Sequence, residues 1–169
     1  IGGARTALYN YLLAKKTGGK FILRIEDTDQ TRLIPNAIKN LRSTLNLCNI
    51  QFDEEPGKGE YGPYIQSKRL DIYKKYYLDL IDKSFAYPCF FKEKEPKILC
   101  PEFNKEKALQ RIKKEQFVIK LLINQDKVLK INDKIRGDIK FDLKLIDDPI
   151  IIKSDGFPTY HFANVVDDH

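Results

Sequence analysis

From Ala4 to Lys16 the apolar residues Ala4, Ala7, Leu8, Tyr11 and Leu12 recur at intervals of three and four, which predicts an amphipathic helix ended by Gly18-Gly19. Phe21 to Ile25 is a short apolar run between those glycines and the acids Glu26, Asp27 and Asp29, and predicts a buried strand. Helix, tight turn and strand make half of a parallel α/β unit. Ile34, Ile38, Leu41, Leu45 and Cys48 step by four, three, four and three, and with Pro35 in the first turn they predict a second helix. Glu54 to Gly62 holds Pro56, Gly57, Gly59 and Gly62 and must be a loop. Ser67 can then cap a third helix that turns Leu70, Tyr73, Tyr77 and Leu80 inward.

After Tyr87-Pro88 the texture changes. Lys92 to Lys114 is charged and broken by Pro96 and Pro101, whereas short β-rich runs follow at Phe117 to Ile123, Val128 to Ile131, Ile139 to Leu143 and Ile150 to Ile152. The expected organisation is an α/β domain over residues 1–86, a small mixed lobe inserted at 87–155, and a return to the first domain at 156–169. No internal repeat or low-complexity tract interrupts it.

With 169 residues, 42% of them hydrophobic, the chain can bury a real core. No apolar stretch approaches the roughly 20 residues that span a bilayer. No secretory or Arg-rich transit segment opens the chain, so a soluble protein is expected. A start at Ile1-Gly2-Gly3 without Met, and an end at His169 after two Asp, lead us to expect an excerpt of a longer protein. The net charge of +6 favours a polyanionic partner. A lysine-heavy, Ile- and Asn-rich bias is equally what an AT-rich genome produces. Cys48, Cys89 and Cys100 have no framework spacing, which fits a reducing compartment, with Cys89 read as a buried apolar residue.

Three places concentrate chemistry. Gly2 and Gly3 precede a helix, where glycine lets a phosphate-bearing ligand approach free N–H groups and the positive end of the dipole; a plain entry into a helix has the same pattern. Glu26, Asp27 and Asp29 fall where the strand runs out, the edge at which parallel sheets bind ligands, and a carboxylate there can hold an ammonium group. Arg24 would pair with one of these acids or with a ligand. The competing reading is that Asp27, Thr28 and Asp29 only make a turn and a cap. Finally, Asp155-Gly156 and Pro158 lead into a helix with Tyr160 and Asn164 four apart on one face, where hydroxyl and amide together could read a polar side chain. Asp167, Asp168 and His169 diverge around a helix, so no metal site is expected.

These pieces together resemble the glutamyl-tRNA synthetase family of bacterial and organellar type, within the class I aminoacyl-tRNA synthetases. The resemblance rests on Ile1 to Asn10, on Phe21 to Asp29, on Gln66-Ser67 with Arg69, on Ile135-Arg136-Gly137 and on Gly156 to His169, in family order. It is weakest over Lys92 to Lys134. It implies a partial Rossmann-type α/β fold with an inserted α+β acceptor-binding lobe. It also implies ATP-dependent activation of glutamate, with Mg²⁺, and transfer to the 3′ end of tRNA(Glu). Gly2 and Gly3 would belong to the ATP-binding loop, the remainder of the HIGH signature. Glu26 would take the glutamate α-ammonium, and Tyr160 and Asn164 would face the amino acid. Thr28, Asp29 and Arg136 would lie toward the tRNA. The first His of HIGH and the KMSKS lysines, which stabilise charge on the α-phosphate, are not in this sequence, so no catalytic residue is assigned within it.

The family's zinc-bearing members have C-x-C after Ala-Tyr; here Cys89 is followed by Phe90 and Phe91, and Cys100 precedes Pro101-Glu102, so no zinc is expected. The resemblance further implies a monomer without membrane association, cytoplasmic if bacterial and otherwise in an organelle. The nearest rival is the paralogue that glutamylates queuosine in a tRNA anticodon, against which Gly3 to Ala7 and Pro158-Thr159-Tyr160 argue. Glutaminyl-tRNA synthetase is disfavoured by Glu26-Asp27-Thr28-Asp29, where that enzyme usually reads Asp-Asp-Thr-Asn. A catalytically inactive tRNA-binding derivative is disfavoured by Glu26, Tyr160 and Asn164.

Overall fold

The computed structural model describes residues 2–29, 31, 34–92, 95–99 and 104–169. Ile1 and Cys100 lie outside the described residues. The chain divides into two compact units, Ile1–Arg69 and Leu70–His169.

In the first unit, helix α1 (Gly2–Thr17) includes the two glycines expected to precede it, because a glycine pair with no side chain to clash can enter the first turn. Gly18, at φ 68°, ends it, and the Gly19 N–H folds back onto the Ala14 carbonyl at 2.9 Å. The inward face is Ala4, Ala7, Tyr11 and Ala14, which pack on Phe21, Leu45, Ile50 and Phe52; Leu8 and Leu12, one position round the helix, stay exposed. Phe21 stacks on Phe52 with ring centroids 5.1 Å apart and meets the edge of Tyr11 at 5.8 Å.

Helix α2 (Ala37–Leu47) starts later than expected: Pro35 lies before it, and Asn36 stands at its N-cap in the left-handed region, φ 61°. Asparagine tolerates that conformation better than most residues, which is why the start shifts. Of the predicted stripe, Leu45 is buried and Leu41 packs on the core, while Ile34 and Cys48 are exposed.

The segment from Phe21 to Ile25 does not form the buried strand expected: only Phe21 is buried, Ile22 is exposed, and its pairing is split between two partners. It forms parallel bridges Ile22 to Glu54 and Ile25 to Ile65. The Leu23 amide donates to the Glu54 carbonyl at 2.9 Å and the Ile25 amide to the Tyr64 carbonyl at 2.8 Å. The glycine-rich loop from Glu54 to Gly62 fills the gap between those partners.

In the second unit, α3 (Leu70–Asp82) buries Tyr73, Tyr77 and Ile81, with Leu70 and Leu80 partly covered. Ser67 does not cap it, because Gln66–Lys68 is a 3₁₀ turn and Ser67 is engaged elsewhere. Strands β1 (Ala86–Lys92), β2 (Glu95–Leu99), β3 (Phe117–Leu121) and β6 (Ile150–Ile152) form an antiparallel sheet in the order β2-β1-β3-β6. Helix α4 (Lys105–Ile112) follows β2; the Asn104 side chain caps it by accepting from the Lys107 amide at 3.1 Å. Strands β4 (Val128–Asp133) and β5 (Gly137–Asp142) form a separate hairpin.

Helix α5 (Tyr160–Asp167) buries Phe162, Ala163 and Val166 in one cluster with α3, Ile119, Ile151 and Ile152. Cys89 in β1 is fully buried, and it is disulfide-bonded rather than the plain apolar packing residue expected. Among the described residues no helix is long and apolar enough to cross a membrane.

Candidate functional site

At the acid edge of the first unit, Glu26 is exposed, and its Oε1 accepts from Arg24 Nη2 at 3.1 Å. Arg24 thus pairs with one of the strand-end acids, as expected, since a guanidinium in an extended apolar segment requires a counter-charge. Asp27 turns the other way. Its Oδ1 accepts from the Ser67 amide at 2.8 Å and its Oδ2 from the Ser67 hydroxyl at 2.6 Å. Asp29 makes a local turn, accepting from Thr31 N at 3.2 Å and from Thr31 Oγ1 at 2.6 Å, whereas Asp27 is held by a residue 40 positions away. Thr28 sits half-buried between them.

Beneath this edge lies a polar cluster that the sequence did not disclose. Glu54 is 2% exposed; its Oε1 accepts from Lys20 Nζ at 2.6 Å, and its Oε2 accepts from the Tyr64 hydroxyl. That hydroxyl accepts in turn from the Tyr61 amide at 2.9 Å. The Lys20 ammonium and the Tyr64 hydroxyl hold the Glu54 carboxyl below the usual carboxylate range, against the opposing effect of burial. The same contact raises Lys20. Burial first, and the Glu54 contact second, raise Tyr64. Beside it, the Phe21 amide donates to Asp53 at 2.7 Å and lowers that carboxyl. A buried carboxylate in a Gly-Pro loop leaves no periodic trace; only its two partners, 34 and 10 positions away, account for it.

Gly2 and Gly3 lie in the first turn of α1, where no acidic residue stands, and a Cβ built on either meets no atom within 4 Å. The first turn of a helix offers free N–H groups and the positive end of its dipole.

In the second unit, the turn before α5 forms as the sequence implies. Gly156 takes φ 82°, the Phe157 amide donates to Asp155 Oδ1 at 3.0 Å, and Pro158 is buried. Tyr160 and Asn164 do share a face: Asn164 Nδ2 donates to the Tyr160 hydroxyl at 3.3 Å, on the side away from the buried Phe162, Ala163 and Val166. Tyr160 is 54% exposed and meets the edge of His161 at 5.4 Å. Asp167 accepts from the Tyr73 hydroxyl at 2.9 Å, a structural duty that ties α3 to α5. Among the described residues no group of three His, Cys, Asp or Glu could hold a metal ion.

Arg136 stands in the β4-β5 turn. Its amide and that of Ile135 both donate to Asp133 Oδ1, at 2.7 and 2.8 Å, and they lower that carboxyl; Gly137 completes the turn at φ 74°. The faces of the hairpin differ. Leu129, Ile131, Ile139 and Phe141 occupy one set of alternate positions, and Lys130 and Lys140 pair across the other.

The first unit sets a helix beside an extended segment that ends in carboxylates, and the second carries a hydroxyl and an amide on one face of its last helix. The family described as tRNA synthetases class I (E and Q), catalytic domain, matches residues 1–98 and 97–169, and the chain belongs to it. It is 45% identical over 193 residues to the glutamate–tRNA ligase of Chlorobaculum parvum, covering 100% of this chain and 38% of that one. To the glutamate–tRNA ligase of Finegoldia magna it is 46% identical over 197 residues, covering 100% and 40%. Among solved structures, a glutamate tRNA ligase from Elizabethkingia meningosepticum in complex with its amino acid matches with a TM-score of 0.84 and 35% identity, over 98% of this chain and 38% of that one. The glutamate-tRNA synthetase of Elizabethkingia anophelis matches with a TM-score of 0.81 and 36% identity over the same shares. The fold is therefore that of the class I synthetase catalytic domain, and the chain spans 38–40% of the length of these curated relatives.

Proposed function

We propose that the chain works in the ATP-dependent ligation of glutamate to the 3′ end of tRNA(Glu), through a glutamyl adenylate, as part of translation. The observation that carries this reading is Glu26, an exposed carboxylate at the end of an extended segment, already 3.1 Å from a cation in Arg24. A group so placed can exchange one cation for another, here the α-ammonium of the amino acid. Tyr160 and Asn164, in mutual contact at 3.3 Å, supply a hydroxyl and an amide for the same substrate.

Gly2 and Gly3, in the first turn of α1, offer backbone N–H groups to the triphosphate of ATP, which arrives with Mg²⁺. Thr28 and Asp29 lie toward the tRNA end, and Arg136, on the lysine-bearing hairpin, meets its backbone by charge. In this reading residues 1–86 and 156–169 serve the catalytic domain and 87–155 the acceptor-binding lobe. The protein works as a monomer, needs no zinc, and resides in the cytoplasm of a bacterium, with an organelle as the alternative.

Pyrophosphate exchange by the complete protein tests the reading. Exchange that requires glutamate and tRNA(Glu) together supports it. Exchange without any tRNA would point to the queuosine-modifying paralogue, and none under either condition to a tRNA-binding derivative.

A further inference from the structure

Glu26 is flanked on both sides by residues that are fixed in place. On the N-terminal side, the Ile25 amide donates to the Tyr64 carbonyl at 2.8 Å and the Ile25 carbonyl accepts from the Gln66 amide at 2.9 Å. On the C-terminal side, both oxygens of Asp27 are engaged by both donors of Ser67, at 2.8 and 2.6 Å. Gln66, between those two attachments on the partner segment, is 0% exposed. Asp27 directly follows Glu26 in the chain, so the grip on Asp27 also fixes the backbone from which the Glu26 side chain departs. A two-point bond to a carboxylate fixes its rotation as well as its position, and hydrogen bonds to a charged acceptor are about twice as strong as neutral ones.

We propose that Asp27 is a positioning residue: by clasping Ser67 it aims the Glu26 carboxylate and so sets the affinity for the ammonium group of the amino-acid substrate. This rests on the reading of Glu26 as the ammonium acceptor. Asp27 acts through Glu26 and needs no contact with substrate. Its effect is expected to be large for its distance from the chemistry, since a misplacement of about 1 Å can cost about a hundredfold. The clasp was not evident in the sequence because its halves lie 40 positions apart and Ser67 reads locally as a helix cap.

The test is exchange by the complete protein with tRNA(Glu), varying glutamate and ATP separately. Asp27→Ala is expected to raise KM for glutamate about tenfold and Ser67→Ala about threefold, with KM for ATP changed less than about twofold. The double variant should be no worse than Asp27→Ala, and Ser67→Thr, which keeps the hydroxyl, should restore the parent value. Equal rises in both KM values, or an unchanged KM for glutamate, would overturn the proposal. Glu26→Gln separates the two layers. If it raises KM for glutamate while the clasp variants do not, only the positioning role falls; if it does not, the reading of Glu26 falls and the proposal with it. Should Asp27→Ala fail to fold, Ser67→Ala retains the backbone bond to Asp27 and decides alone.

Discussion

Glu54 and Tyr64 meet carboxylate to hydroxyl inside the first unit, where Glu54 is 2% and Tyr64 8% exposed, and Lys20 closes the cluster from the solvent side. Two buried polar side chains ten positions apart can meet only if the loop between them folds back without obstruction. Gly59 provides that. It sits at φ 125°, and a Cβ there would fall on the Tyr64 hydroxyl and within 2.9 Å of Glu54. Gly59→Ala combines a strained backbone with a displaced hydrogen bond, so we expect a loss of about 2 kcal/mol or more. Gly57→Ala is the comparison: its φ is also positive, at 92°, but no atom lies within 4 Å of the added carbon. It should cost less, and urea unfolding of the two variants measures the difference.

The same cluster gives the first unit a signature in pH. The folded Glu54 carboxyl lies below its ordinary 4.5, so the unfolded chain binds more protons in that window and stability rises with pH through it. Its contribution is fully present above 4.5 and is lost as pH falls through the lowered value. Lys20 works in the opposite sense: raised above 10.5, it contributes fully below that value and fades as pH climbs through the raised one. Glu54→Gln should lower the urea midpoint at pH 7 and flatten its fall on acidification. Asp53, also lowered, should leave a residual acid slope. A variant whose midpoint falls as steeply as the parent's between pH 5 and about 3 would refute this assignment.

Spacing at three and four located α1, α2, α3 and the Tyr160-Asn164 face of α5, because a helix repeats its burial every 3.6 residues and leaves that repeat in the sequence. It was less able to say which residue of a broad stripe turns inward, as Leu8 and Leu12 show beside the packed Tyr11 and Ala14. Residues 105–112 escaped notice because the surrounding charge and prolines masked the Asn104 cap and the Ala108, Leu109 and Ile112 face. Glu54 and Ser67 were unreadable for a different reason. Their partners, Lys20, Tyr64 and Asp27, are brought to them by chain folding, and a polar residue in a glycine-rich or turn segment carries no mark of burial.

Ile119 is the best-covered residue of β3, at 0% exposure, with Pro88 and Ile152 opposite it on either side. Ile119→Ala removes buried carbon from the middle of that sheet and leaves a cavity, so a loss of about 3 kcal/mol is expected for the second unit. Leu122→Ala, three positions on and 52% exposed, should change stability by about 0.5 kcal/mol or less. Far-UV circular dichroism during urea unfolding compares the two, and equal losses would show that the sheet does not depend on its centre.

Tyr160 and Asn164 make the last case, since they separate function from folding. They share a hydrogen bond at 3.3 Å, on the face of α5 opposite the residues that hold it to the sheet. Tyr160→Phe removes the hydroxyl and leaves the ring, and Asn164→Ala removes the amide; neither deletes buried apolar area. Tyr160→Phe should unfold at the parent's urea concentration, to within about 0.5 kcal/mol. If the pair receives the amino acid, each variant raises KM for glutamate about three- to tenfold and leaves KM for ATP unchanged. Because the two groups orient each other, the double variant should fall short of the product of the single effects. Effects that multiply would mean that the hydroxyl and the amide act separately, and unchanged KM values would remove both residues from the site.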